Sequence, residues 1–341
     1  MEIQITDNRK IGDNHPVFII AEVGNNHQGN FELAKQSISS AYETKADAVT
    51  FQYAPLETYC IKSMYGDKRL SFLKECEFSL KQLSELRDYA KKLNLAFSIN
   101  VEDKDTIDEM LNIGIDFIKL CSADLTNIPY IQYCASKDKP IFFSTGAAYL
   151  GEIENAYNAM KITGLDKYVI YHTNSGYPTD IKDANIRQMD LLNSIFGGVK
   201  GYCDHTVDII PPIVAVARGA KVIEKHITTD RSLKGDDYMV SLEPDEFKLM
   251  VKYIRQAEAS LGSKIKQPMP CEKNTREFKR KSLVSKTRIE KGTVINEKHL
   301  CCKIPGTGLS PMKINHVLGK KTKVDIPEDI LLSTEMIEDW D

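Results

Sequence analysis

The sequence predicts a (β/α)8 TIM barrel followed by a small β-rich domain. Three observations predict it. Eight short β-branched, apolar runs alternate with amphipathic stretches. Each run ends on a polar or ionisable residue. After Leu261 the texture changes to a proline-containing segment and then to short β-like runs.

The runs are Val17 to Val23, Ala48 to Gln52, Leu95 to Ile99, Phe117 to Cys121, Ile141 to Ser144, Tyr168 to His172, Val199 to Cys203 and Val222 to His226. Between them lie helix-like stretches such as Phe31 to Glu43, Ser79 to Leu93, Thr106 to Ile113 and Leu150 to Ile162. Strand and helix in alternation imply parallel βαβ units. Eight such units in roughly 260 residues match the usual size of this barrel.

The 341 residues suit one large domain and one small one. Boundaries are expected at 1–265 for the barrel, 266–281 for a linker and 282–341 for the small domain. The stretch Gly262 to Asn274 holds two prolines and reads as extended. The basic patch Lys279-Arg280-Lys281 reads as a solvated hinge.

Composition narrows the function. Hydrophobic residues make up 42% and charged residues 27%, as in a globular domain. A net charge of −3 gives no general attraction to nucleic acid or anionic membrane, and neither is expected as a partner. No apolar run is long enough to span a bilayer, and the first residues lack a signal-peptide pattern. A cytoplasmic location is therefore expected. The eight cysteines are scattered without a Cys-x-x-Cys pair, so neither a disulfide framework nor a structural zinc site is expected.

The strand ends carry the chemistry. They are Glu22, Gln52, Asn100, Lys119, Ser144, His172, Asp204-His205 and Lys225-His226. In a barrel such ends converge on one face, where barrel enzymes place their active sites. Solvated strand ends seldom select imidazole. His205 and His226 end consecutive strands, so their rings can meet, and neutral imidazole suits manganese, iron, cobalt or zinc. Lys119, Ser122 and the Ser144-Thr-Gly146 turn offer a cation, hydroxyls and amides suited to phosphate and carboxylate. The segment His172 to Pro178 adds Asn174, Ser175 and Tyr177, and the loop Asp230 to Tyr238 brings Asp237 over the same mouth. This set describes an enzyme that binds an anion and polarises an aldehyde or ketone.

The stretches AEVGNNHQGNFELAK, ADAVTFQ, IKLCSAD, STG, HTNSGYP, DHT, GAKVIEKHITTDRSL, SLEPDEF and KIPGTGLSPMKINHVLGKK resemble the sialic acid synthase family, which includes N-acetylneuraminate, legionaminate and pseudaminate synthases. The resemblance runs through nearly the whole chain in order. It implies a barrel with a C-terminal antifreeze-like (SAF) domain in a domain-swapped homodimer. It also implies a divalent metal, usually manganese, with magnesium, cobalt or iron as alternatives. The substrates it implies are phosphoenolpyruvate and N-acetylmannosamine or a related hexosamine, joined with release of phosphate. His205 and His226 match the metal ligands. Glu22, Lys119 and Asp237 match catalytic groups. Lys119, Ser122 and Ser144 match the phosphoenolpyruvate side, and Gln52, Tyr177 and Asp237 the sugar side. Asn100, Asn174 and Ser175 are further expected substrate contacts.

The chain also departs from the family pattern. Thr50 stands where a lysine is usual, Cys203 for serine, Ile99-Asn100 for Ser-Thr, Gly235 to Tyr238 for Gly-Pro-Asp-His, and Ile304 for an arginine that reaches the partner's sugar site. Two other readings stay open at this level. One is a barrel synthase acting on a phosphorylated aldehyde, and the other is a sugar-binding paralogue without catalysis.

Overall fold

The protein is described from a computed structural model covering residues 1–340. The chain divides into two compact units, Met1–Gly262 and Ser263–Asp341.

The first unit is the barrel. Its strands are β3 (Phe18–Gly24), β4 (Ala48–Gln52), β5 (Ala96–Asn100), β6 (Ile118–Leu120), β7 (Ile141–Ser144), β8 (Tyr168–Thr173), β9 (Val199–Asp204) and β10 (Val222–His226). The neighbour order is β5-β4-β3-β10-β9-β8-β7-β6, all parallel. First and last barrel strands pair with Glu22 opposite His226. Three of the eight expected strands, β4, β7 and β10, have the expected limits. β6 is shorter than expected because only its β7 side carries a regular ladder. On the β5 side the seam is closed by the Asp116 amide donating to the Phe97 carbonyl (2.9 Å) and the Ser98 hydroxyl donating to the Phe117 carbonyl (2.6 Å).

The helix Phe31–Glu43 also matches its expected span. Asn30 caps it by accepting from the Leu33 amide, and Ala34, Ile38 and Ala41 bury one face against the strands. Two short helices, Leu56–Tyr59 and Asp67–Cys76, interrupt the connection after β4 and were not expected. Their residues lack a long apolar stripe.

A second unexpected feature is an N-terminal hairpin, β1 (Glu2–Thr6) and β2 (Arg9–Gly12). Ile3, Ile5 and Ile11 project from it into a cluster with Phe18, Ile20, Phe117 and Phe142 of the barrel interior. The hairpin thus plugs the lower end of the barrel with aliphatic side chains. Alternation of Ile3 and Ile5 across a polar strand signals such a one-sided hairpin.

The second unit has its own core of Leu283, Ile295, Leu300, Val317, Leu332 and Ile337. Its strands β11 (Ser282–Ser285) and β12 (Leu300–Lys303) pair antiparallel. The residues 266–281 are exposed and include a short helix, Lys273–Phe278. All eight cysteines are unpaired. Among the described residues, no helix is long and apolar enough to cross a membrane.

Two predictions concern this frame. Ile11 is fully buried in the plug, so Ile11→Ala should lower unfolding stability by about 2–5 kcal/mol. Denaturant titration should show a lower midpoint with an unchanged slope. His27 is stacked on Phe78 (ring centroids 4.4 Å apart), and burial pushes its pKa from 6.5 down to about 4. An unfolded imidazole takes up a proton below about 6.5, whereas the folded one resists until about 4. Stability should therefore be full above pH 6.5 and drain as pH falls towards 4. Thermal melts across this window should show a shallower fall in His27→Gln than in the parent.

Candidate active site

A cleft of about 420 Å³ opens at the C-terminal ends of the barrel strands. Eleven of the twelve expected site residues line it: Glu22, Gln52, Asn100, Lys119, Ser122, Ser144, Ser175, Tyr177, His205, His226 and Asp237. Asn174 does not. Its backbone carbonyl accepts from His205 Nδ1 (2.6 Å), and its side chain braces the loop through the Gly176 amide (2.9 Å). Asn174 therefore orients an imidazole from behind and leaves the cleft to its neighbours.

Strand alternation decides which of the polar strand ends face inward. Glu224 and His226 point one way and Lys225 the other. Lys225 donates to Asp204 Oδ2 (2.6 Å), and both side chains are fully buried away from the cleft. His172 likewise turns away. Its Nε2 pairs with the Ala184 carbonyl (2.8 Å), and its ring stacks on Tyr202. The expectation that His172, Asp204 and Lys225 converge on the mouth fails for this reason.

At the base of the cleft Lys119 forms an ion pair with Glu224 and lies 3.6 Å from Glu22 Oε2. Burial alone would lower the Lys119 pKa, but Glu224 and further acidic neighbours outweigh it and hold it well above the usual lysine value. Glu224 also accepts from the Cys203 thiol (3.3 Å). Its other oxygen and the Tyr171 hydroxyl are buried without hydrogen-bond partners. Glu22 accepts from the Gly24 amide (2.7 Å), the Thr50 hydroxyl (2.7 Å) and Asn100 Nδ2 (2.8 Å). Thr50 thus serves as a neutral donor to this carboxylate.

Ser122, Ser144 and Ser175 face the cleft beside Lys119. The Gly146 amide donates to Ser122 Oγ (3.0 Å). A Cβ at residue 146 would push the Ser122 and Ser175 hydroxyls out of their present positions, so glycine here keeps both facing the cleft. Hydroxyls around an ammonium suit a phosphate or carboxylate.

Across the cleft the rings of His205 and His226 lie 5.4 Å apart between centroids. Burial lowers the His205 pKa to about 4 and that of His226 well below its ordinary value, so both are neutral at physiological pH. With Nδ1 of His205 donating to Asn174, its Nε2 lone pair faces the Tyr177 hydroxyl (2.9 Å). Nδ1 of His226 is buried without a hydrogen-bond partner, 3.7 Å from Asp237 Oδ2. Two neutral imidazoles, with Nδ1 of His226 unpaired and Nε2 of His205 meeting the Tyr177 hydroxyl, fit a divalent ion chemically. No group of three or more His, Cys, Asp and Glu side chains forms a metal cage among the described residues, so an ion here would need ligands from water or substrate.

Two carboxyls in the cleft titrate near neutrality. Burial, then Asp236 and Glu22, push Asp237 up to about 7. Burial, then Asp124 and Asp103, push Glu102 up to about 7. Glu102, Tyr59, Cys121 and Thr173 line the cleft and were not among the expected residues. Glu102 lies two residues beyond Asn100, so strand alternation was a signal for it. Glu224 carried the same signal, two residues before His226.

Comparison with known proteins fits this geometry. The NeuB family pattern matches residues 37–266, and the SAF domain pattern matches residues 280–338. The chain is 36% identical to the N,N'-diacetyllegionaminic acid synthase of Legionella pneumophila, over 97% of this chain and 99% of that one. It is 34% identical to the N-acetylneuraminate-9-phosphate synthase of Mus musculus, over 99% and 97% respectively. Among solved structures it is similar to the N-acetylneuraminic acid synthetase of Leptospira borgpetersenii. The identity there is 34% and the TM-score 0.74, covering 80% of this chain and 94% of that one. With matches of this length in both parts, the chain belongs to the NeuB family of sialic, legionaminic and pseudaminic acid synthases and carries a C-terminal SAF domain.

Proposed function

We propose that this chain condenses phosphoenolpyruvate with an open-chain hexosamine-type sugar to give a nonulosonic acid and inorganic phosphate. One observation carries the reading. A single cleft joins a hydroxyl and ammonium cradle on one side to neutral imidazoles and proton-carrying carboxyls on the other. The names of the relatives support it.

Lys119 and the serine hydroxyls hold the phosphate and carboxylate of the donor. C3 of phosphoenolpyruvate bonds to the aldehyde carbon, and the aldehyde oxygen gains a proton. Asp237, with a pKa raised to about 7, can carry that proton near neutrality and faces His226. Water then adds to C2, the C2–O bond breaks and phosphate leaves. Glu22, fixed by three donors, accepts the proton released by water. His205 and His226 would hold a divalent metal, manganese first. Such an ion supplies Lewis-acid polarisation of the aldehyde. Tyr177 packs flat on His205 (centroids 4.1 Å) and limits the ring's movement.

Two tests address this. Phosphoenolpyruvate-dependent phosphate release with N-acetylmannosamine or a 6-deoxy diacetamido hexose should require added manganese. The double variant His205→Ala, His226→Ala should lose that release by about 100-fold or more and lose manganese binding in calorimetry. Undiminished release by the double variant would sink the metal assignment.

We further propose a domain-swapped homodimer in which residue 304 serves the partner's sugar site. Ile304 is exposed and offers apolar area in place of an arginine fork. The specificity ratio should therefore favour the 6-deoxy diacetamido sugar over N-acetylmannosamine, and Ile304→Arg should narrow it. Light scattering of the same samples should report a dimer. A fully active monomer, or a ratio that strongly favours N-acetylmannosamine and ignores the arginine, would overturn this reading.

A further inference from the structure

His205 lies just past the end of β9, and His226 is the last residue of β10. The ladder between these two strands runs from Val222 opposite Gly201 to Lys225 opposite Asp204 and stops there. Backbone pairing between β9 and β10 therefore does not set how the two imidazoles sit relative to each other. A side-chain network begins where that ladder ends.

Lys225 Nζ donates to Asp204 Oδ2 (2.6 Å) and to the Thr206 carbonyl. Asp204 also accepts from the Tyr202 hydroxyl (2.7 Å), the Thr206 amide (3.2 Å) and the Thr206 hydroxyl (3.0 Å). His205 is thus bracketed. The residue before it and the residue after it are both tied to the ammonium that precedes His226. The His205 carbonyl is held in turn by the Thr179 amide (2.9 Å).

Stability alone gives no reason for a charge pair at this place. Tyr202, Ile223 and Ile227, on the same strand faces, belong to the apolar layer between strands and helices. Asp204 and Lys225 are fully buried in it. An ion pair there carries a desolvation penalty, and its replacement by well-packed apolar residues is often neutral or stabilising. What the pair supplies, and apolar packing does not, is directed bonds between fixed atoms. Metal ligands need such bonds, because their donor nitrogens must be held to within about 0.5 Å of the productive geometry.

We propose that Asp204 and Lys225 are positioning residues for the metal: their ion pair, on the strand faces turned away from the cleft, fixes the separation and heading of the His205 and His226 imidazoles. This rests on the metal reading above, so the test reads binding and not turnover. The full-length protein is stripped of metal and titrated with manganese alone. Calorimetry reads the affinity, electron paramagnetic resonance reads the symmetry around the bound ion, and a melt of the metal-free protein reads stability.

Asp204→Leu combined with Lys225→Met should fold and melt near the parent. It should nevertheless raise the Kd for manganese by about 10- to 100-fold and alter the resonance line shape. A purely structural pair would give the reverse, a lowered melt with parent-like manganese binding, and that result overturns the proposal. A parent-like melt with parent-like binding overturns it equally. If the apolar pair fails to fold, or melts far below the parent, Thr206→Val decides. That variant keeps both charges and removes one bond beside His205, and it should weaken manganese binding by about tenfold. Unchanged binding in Thr206→Val then overturns the proposal. A parent that takes up no manganese defeats the metal reading itself, and this inference with it.

Discussion

The buried pair between Lys119 and Glu224 is the constraint on which the site depends. Two opposite charges at the floor of a barrel are expensive to desolvate, and they persist only when each satisfies the other. Glu224 comes from the last barrel strand and Lys119 from the fourth, so the pair ties distant parts of the ring together. It also fixes where an anion can dock, because the ammonium is held at one point and cannot follow a ligand. Around that point the serine hydroxyls and the close approach of Gly146 become a coherent cradle.

The second half of the cleft follows a different logic. Glu22 is immobilised by a backbone amide, a threonine hydroxyl and an asparagine amide, none of them charged. A lysine at position 50, usual in the family, would add a second cation beside this carboxylate. Thr50 supplies a hydrogen bond without the charge. The local field here is therefore more negative than a family-wide pattern implies. Asp237, raised to about 7 by burial and then by Asp236 and Glu22, lies in that field. One substitution deep in a strand thus bears on the proton affinity of its neighbours as well as on the ligand it no longer touches.

Much of this was legible in the sequence because a parallel barrel repeats its signals. Period-two alternation and apolar runs gave β4, β7 and β10 to the residue; polar strand ends led to seven of the cleft residues, and the loops that follow them to Ser122, Ser175, Tyr177 and Asp237. What misled was reading adjacent polar residues as equivalent. Asp204 and His205 are neighbours in sequence, but the pleat sends them to opposite faces, and the same holds for Lys225 and His226. His172 was misread for the same reason. Asn174 failed differently, because its contribution is a backbone carbonyl, which no side-chain pattern reveals. The N-terminal hairpin was missed because its three isoleucines are meaningful only against the barrel interior they fill. Glu102 was missed because it lies past the point where the apolar run ends.

The hairpin that seals the lower end gives the cleft a single doorway. Whatever sits deepest, against Lys119, must enter before anything lodged nearer the rim and must wait for the rim to clear before it leaves. A barrel stoppered at one end therefore imposes a queue on its traffic. If the anionic reactant occupies the floor, the order of arrival is set by topology, and its released fragment shares an exit with the larger product above it.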